Sequence, residues 1–494
     1  MTDRAANPNG PQLIAYADRF GGSIAGLVRL LEGPLAGAFA GVHVLPFFTP
    51  YDGADAGFDP QDHARVDPRL GTWADVRALS AGWDVMADVI VNHMSSESEQ
   101  FRDVREHGDA SPWAEMFLTL SSIFPEGATE ADLARIYRPR PGLPFTTMTL
   151  GGERRLVWTT FTSQQVDLDI RAPRTWEYLT SVVDALTGAG VSMLRLDAVG
   201  YAGKEAGTDC FLTDSTYAFI RRLSEYAHER GAVILLEMHG HYQQQVDLAE
   251  HADFIYDFAL PPLVLHAVTT ADPAPLARWL DIRPANSVTV LDTHDGIGII
   301  DVGGSGDQPG LLPDDQVDAL VEGINQRSGG QSLRATGAAA SNLDLYQVNC
   351  TFYDALGRDD DRYLLARLLQ LFVPGIPQVY YVGLLAGTND MELLAATGTG
   401  RDINRHRYTA EEIDAELRRP VVRRQLEALR LRASFPAFLG EFSATWHETG
   451  GRFTWRHEAT DAVLDFDLAS GEFRVTTSEG GVQQVRLAGE PATT

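Results

Sequence analysis

The sequence predicts an α/β protein built on a closed (β/α)8 barrel, with insertions and a small C-terminal β module. Three observations predict it. Eight short, nearly all-apolar runs recur along the chain with helix-like segments between most of them, as parallel strands covered on both faces do. Two intervals between runs are much longer than one helix requires, and the tail changes to a period of two.

The runs lie at 12–17, 41–48, 85–92, 191–198, 232–239, 253–258, 287–294 and 376–382. A plausible amphipathic helix around 23–31 follows the first, and segments 175–186 and 214–229 have the same character. Eight strands alternating with helices fit a TIM-type barrel better than an open doubly wound sheet. Residues 1–90, 172–296 and 357–437 are assigned to that barrel. The excess after the third strand makes 91–171 an inserted domain. The excess after the seventh, 297–356, is rich in Gly, Asp, Asn and Ser (GGSGDQPG, NQRSGGQS, GAAASNLD) and reads as a lid of long loops. Loops of that length are usually functional. In 438–494 the runs 452–457, 462–468, 472–477 and 482–487 alternate apolar and polar residues between TGG, SGE and EGG, which predicts an antiparallel sheet. It carries no catalytic constellation, so its expected role is stability.

Composition narrows the function. The net charge of −28, from 68 acidic against 40 basic residues, argues against general nucleic-acid affinity. A small anion needs only a local arginine and stays possible. Cys210 and Cys350 offer neither a disulfide framework nor metal-ligand spacing, and two free thiols fit a reducing compartment. MTDRAANPNGPQ has no apolar signal core, and no run approaches the roughly 20 apolar residues of a membrane span. A soluble, cytoplasmic protein is expected.

Catalytic groups of such barrels sit at the carboxyl ends of the strands. Here those ends are unusually polar: Asn92-His93 after strand three, Asp197 after four, Glu237-Met238-His239 after five, and Asp292-Thr293-His294-Asp295 after seven. Arg195 lies two residues before Asp197, on the same face of the strand, where a guanidinium keeps a carboxylate ionised. For that pair alone a structural ion pair is the slightly favoured reading. Carboxylates closing strands four, five and seven, with histidines closing three, five and seven, point instead to one pocket. A metal cluster would use the same residue types, but no ligand spacing supports it and Arg195 would repel a cation. Two carboxyl groups flanking a bond, one ionised and one protonated, are the apparatus of glycosyl transfer. Asp197 fits the nucleophile. Glu237, emerging from the apolar run Val233-Ile234-Leu235-Leu236, fits the general acid. Asp295 is left to stabilise developing positive charge, and His93 and His294 to bind hydroxyls.

ADVIVNH, LRLDAVGY, ILLEMH and VLDTHD resemble, in order and strand placement, the four motifs of the α-amylase clan of retaining glycosidases and transglycosidases. Longer stretches are similar to the sucrose phosphorylase branch of that clan: VLPFFTPYDGADAGFDP, IYRPRPGLPF, LRLDAVGYAGKEAG, DFALPPL, TVLDTHDGIGIIDVG, ATGAAASNLDLYQVN, PGIPQVYYVG and GRDINRH. The similarity runs from about residue 12 to the mid-430s and thins in the C-terminal sheet. It implies transfer of glucosyl from sucrose to phosphate, giving glucose 1-phosphate and fructose, with no cofactor, no metal and a homodimeric assembly. Asp197 is then the nucleophile, Glu237 the acid/base and Asp295 the transition-state stabiliser. Asp55, His93, Arg195, His294 and Arg401 match positions holding the glucosyl unit, with Phe58 and Phe161 as its aromatic wall and Gln165 a polar neighbour. Taken alone, Phe58 and Phe161 read as core packing. Arg140, His239 and Tyr346 match anion- and acceptor-contacting positions, and Asp344 and Gln347 positions that contact the fructosyl unit. Prolines stiffen the loop that carries Arg140. After Glu237 the chain reads MHGHYQQQ, where the family more usually has a small β-branched residue and then lysines; this departure falls on the acceptor side. Phosphorylases of glucosylglycerol, glucosylglycerate or sucrose 6′-phosphate, and an α-glucosidase using water, share the mechanism and differ in acceptor. A non-catalytic sugar-binding homologue typically lacks one of the three carboxylates, and all three are present here.

Overall fold

All eight expected runs form strands of one closed barrel. The computed structural model describes residues 10–53, 55–138, 142–336 and 347–489. The barrel strands are β1 (Gln12–Ala15), β2 (Gly41–Val44), β3 (Asp84–Ile90), β4 (Met193–Asp197), β5 (Val233–Leu236), β6 (Phe254–Asp257), β7 (Ser287–Thr289) and β8 (Ile376–Tyr380). Their spatial order follows the chain, with β1 lying between β2 and β8. The pairings β1–β8, β3–β4, β4–β5, β6–β7 and β7–β8 are parallel. Several strands stop short of the apolar runs that predicted them. β7 ends at Thr289, so Val290–Asp295 leaves the ladder before its polar residues are reached.

The helices between strands begin where local chemistry starts them. Ser23 accepts a hydrogen bond from the Gly26 amide at the start of α1 (Ile24–Glu32), which buries Ile24, Leu27 and Leu31. A proline opens α2 (Pro173–Gly188), where its missing N–H costs nothing. Thr213 caps α3 (Asp214–His228), which turns Phe219, Ile220, Leu223 and Ala227 inward.

The chain divides into two compact units: Val44–Met238 with Glu250–Phe254, and the remainder. In the Val44–Met238 unit, His93–Ser95 pairs antiparallel with Gln165–Asp167, and Phe145–Leu150 with Glu153–Trp158. Met94, Phe101, Met116, Val157, Val166 and Leu168 form a core beneath these ribbons. Trp158, Leu118, Ile123 and Cys210 belong to another.

In the other unit, Ile297–Gly298 pairs antiparallel with Gln347–Val348. The stretch between them is not the run of loops its composition suggests. Asp314–Arg327 is a helix that buries Leu320 and Ile324, followed by a shorter one at Gln331–Thr336. Its helical period is real, but glycine-rich flanks dominate the composition of the segment. The tail is a five-stranded antiparallel meander: β9 (Glu441–His447), β10 (Gly450–His457), β11 (Thr460–Asp467), β12 (Phe473–Glu479) and β13 (Val482–Gly489). β9 is one strand more than expected. It alternates between exposed and half-buried residues with none fully covered, so it lacks a strong apolar signal. Gly480 and Gly481, both at positive φ, make the tight turn between β12 and β13.

Candidate active site

Within the Val44–Met238 unit the centre is a buried arginine. Arg195 points inward from β4, directly opposite Asp88 in the β3 register, and bonds its carboxylate through Nη1. The same nitrogen donates to Asp197 Oδ1 at 2.8 Å, and Nη2 lies 4.0 Å from Glu237 Oε1. Such charge-assisted bonds fix the orientation of a carboxylate and favour its ionised form. Immediately after Asp197 the strand breaks. Ala198 takes a left-handed conformation at φ 52°, and its amide donates to Glu237 Oε2 at 3.0 Å. A non-glycine residue there marks stored strain, here next to the proposed nucleophile. The turn is held from beneath by the buried Lys204. Its ammonium donates to Asn92 Oδ1 at 2.9 Å and to the Tyr201 carbonyl, and pairs with Asp167 Oδ2 at 2.9 Å.

Beside this pair stand the expected sugar-pocket residues. His93 Nε2 lies 2.9 Å from the Phe58 carbonyl oxygen, and Nδ1 lies 3.3 Å from the Asn92 amide nitrogen. Burial pushes the His93 imidazole below its ordinary pKa, so it sits there as a neutral ring. The Gln165 amide nitrogen is 3.1 Å from His93 Nε2 and donates to Asp55 Oδ2 at 3.3 Å. Phe58 lies under the Arg195 guanidinium, 5.6 Å from ring centroid to Cζ. The half-buried Phe161 packs edge-on against His93 and Tyr201 at 5.4 and 5.2 Å. Phe58 and Phe161 therefore both lie against polar residues of the candidate site, Phe58 while also buried in the core.

Within the other unit the centre is Asp295. Its Oδ1 is 2.9 Å from Arg401 Nη1, 3.6 Å from Arg405 Nη2 and 3.7 Å from His294 Nε2. Burial opposes ionisation of this carboxyl, but Arg401, His294 and Arg405 outweigh it and hold Asp295 well below the usual carboxylate range. The backbone is clamped as well: Arg405 Nε donates to the His294 carbonyl at 2.9 Å, and Asn404 Nδ2 to the Thr293 carbonyl at 2.8 Å. The short 3-10 turn Gly400–Asn404 thus supplies one cation for the carboxylate and one amide for the chain behind it. In the same unit His239 stacks on Phe258 at 3.8 Å, and its Nε2 lies 3.1 Å from Gln347 Nε2.

Comparison with known proteins adds what geometry alone does not. The family model for the α-amylase catalytic domain matches residues 22–253. The sucrose phosphorylase of Bifidobacterium adolescentis is 56% identical over 470 residues, 94% of this chain and 93% of that one. That of Agrobacterium vitis is 54% identical over 474 residues, 95% and 97% of the two chains. The chain belongs to the sucrose phosphorylase family. Among solved structures, the sucrose 6F-phosphate phosphorylase from Thermoanaerobacter thermosaccharolyticum superposes with a TM-score of 0.90 at 36% identity, covering 98% of each chain.

Of the family-matched positions, Asp55, Phe58, His93, Phe161, Gln165, Arg195, Asp197 and Glu237 lie in one unit, and His239, His294, Asp295, Gln347 and Arg401 in the other. Arg140, Asp344 and Tyr346 lie outside the described residues. Three partners had no separate signal in the sequence. Asp88 acts through its register opposite Arg195, Lys204 through a fold that brings 92, 167 and 201 together, and Arg405 through a turn that returns to strand seven. Asp88 could have been noticed as the one charge among the buried apolar residues of β3.

Proposed function

We propose that this protein is a retaining phosphorylase that cleaves sucrose with phosphate, giving α-glucose 1-phosphate and fructose. The observation that carries the mechanism is the shared guanidinium of Arg195, bonded to Asp197 and facing Glu237. Asp197 attacks the anomeric carbon while Glu237 gives its proton to the departing fructosyl oxygen. The C–O bond to fructose breaks as the bond to Asp197 forms, leaving a covalent β-glucosyl enzyme. A phosphate oxygen, giving its proton to the Glu237 carboxylate, then attacks from the face that fructose left, and the Asp197 carboxylate is released. Asp295 stabilises the positive charge that develops on the sugar in both steps, a role suited to a carboxylate held ionised by Arg401 and Arg405. His93, His294, Arg401, Asp55 and Gln165 hold the glucosyl hydroxyls against Phe58 and Phe161. Arg140, His239, Tyr346, Asp344 and Gln347 serve the acceptor side.

The assay is direct. Purified protein given sucrose with phosphate yields glucose 1-phosphate of α configuration, and without phosphate yields slow release of glucose. Glucose alone under both conditions identifies a hydrolase instead. Activity only with sucrose 6′-phosphate, glucosylglycerol or glucosylglycerate moves the protein to a neighbouring acceptor class. A homodimer, testable by light scattering, and a cytoplasmic location belong to this reading. The buried, unpaired thiols of Cys210 and Cys350 suit a reducing compartment. Among the described residues no helix is long and apolar enough to cross a membrane.

A further inference from the structure

Asp301 has no part in the mechanism above, yet it is a fully buried carboxylate wired to one of the acceptor-side residues. Its Oδ2 is 2.9 Å from His239 Nδ1. Its Oδ1 accepts from the Gly240 amide at 3.1 Å and from Gln245 Nε2 at 2.9 Å. Three donors on one buried carboxylate make a fixed anchor rather than a mobile surface pair. At the far side of the ring, the Gln347 amide nitrogen can only donate, so His239 Nε2 faces it with a lone pair and the proton sits on Nδ1 toward Asp301.

The backbone has made room for this dyad. Gly298 stands opposite Gln347 in the short antiparallel pair, so the same ladder that places Gln347 at Nε2 also places a glycine beside Nδ1. A β-carbon on Gly298 would lie 2.1 Å from Asp301 Oδ2 and 3.2 Å from His239 Nδ1. Only glycine leaves space for the carboxylate to reach the ring.

We propose that Asp301 is the positioning residue for His239: by accepting the Nδ1 proton it fixes tautomer and orientation, so that Nε2 is presented to the incoming acceptor. When Nε2 also carries a proton toward a phosphate oxygen, the Asp301 carboxylate offsets the charge of the ring. The proposal rests on the phosphorolysis reading for its kinetic consequence, but not for the tautomer.

In Asp301→Asn the ratio of glucose 1-phosphate to glucose formed at fixed phosphate falls about tenfold or more, the scale seen when a carboxylate behind a metal-ligating imidazole is lost, and KM for phosphate rises. If Asp301 only braces the Gly240 turn, phosphorolysis and hydrolysis fall together, and that result overturns the proposal. Gly298→Ala keeps the carboxylate but displaces it, and gives the same split even if Asp301→Asn does not fold. In a His239→Ala background, Asp301→Asn costs no further phosphorolysis; additive losses would separate the two residues. The ¹⁵N spectrum of the wild-type imidazole at neutral pH shows Nδ1 protonated, and a neutral ring protonated on Nε2 rejects the assignment. If the wild type makes no glucose 1-phosphate at all, the activity reading fails while the spectrum still decides the dyad.

Discussion

Asp197 and Glu237 share one arginine, so their roles must be separated by chemistry rather than by environment. Arg195 bonds Asp197 at 2.8 Å and stands 4.0 Å from Glu237, and the Ala198 amide holds the other Glu237 oxygen. A leaving group that needs no proton separates them. Glu237→Gln is expected to lose roughly 10²–10⁴-fold in kcat with sucrose, the usual worth of a general acid. With α-glucosyl fluoride, whose fluoride leaves unaided, it should form the glucosyl enzyme at close to the wild-type rate. Asp197→Asn should be inactive on both. Equal losses on both donors in Glu237→Gln would remove it from the acid's place. Most of this site was legible because strand ends are local in sequence: ADVIVNH, LRLDAVGY, ILLEMH and VLDTHD each carry their functional residue within a few positions of an apolar run. Arg405 and Asp301 were not, because each acts through a neighbour distant in the chain. Asp88 stands out inside ADVIVNH, but its pairing with Arg195 needs a register that a single sequence does not carry.

At the scale of elements, the same distinction separates what periodicity shows from what it hides. Fully buried parallel strands announce themselves as apolar runs, and all eight were found. The helix Asp314–Arg327 buries only Leu320 and Ile324, and β9 buries none of its residues fully, so both were lost in polar surroundings. The C-terminal sheet nevertheless has a specific attachment. Trp455 on β10 is buried, donates through Nε1 to the Phe372 carbonyl at 2.6 Å, and packs against Phe438 and Phe442 at 5.9 and 5.5 Å. The Arg432 guanidinium lies 5.2 Å from its ring. Trp455→Phe should cost about 1–2 kcal/mol for the orphaned carbonyl, and Trp455→Ala about 3–5 kcal/mol with its cavity. Urea unfolding followed by loss of activity measures both. If neither substitution moves the midpoint, the sheet opens independently of the catalytic part and its stabilising role is refuted.

For the molecule as a whole, the excess of 28 negative charges suggests that acid should relieve repulsion and stabilise the fold. Buried histidine argues the other way. His63 is 1% exposed, donates from Nε2 to the Asp88 carbonyl at 3.3 Å, and packs edge-on against Phe48 at 4.4 Å. Burial lowers its pKa from 6.5 to about 4. Between those values the unfolded chain binds a proton that the folded chain refuses. The stability this neutral ring contributes is complete above pH 6.5 and is lost as pH falls toward 4, at up to about 1.4 kcal/mol per unit and roughly 3 kcal/mol in all. His93, buried and lowered in the same direction, adds to it. Surface repulsion is screened by salt whereas a buried ring is not, so the two effects come apart in moderate salt. There the free energy of unfolding should fall steadily from pH 6.5 to 4, and His63→Asn should flatten that slope by close to one proton while lowering stability at pH 7. An unchanged slope in the variant would mean that another group refuses the proton.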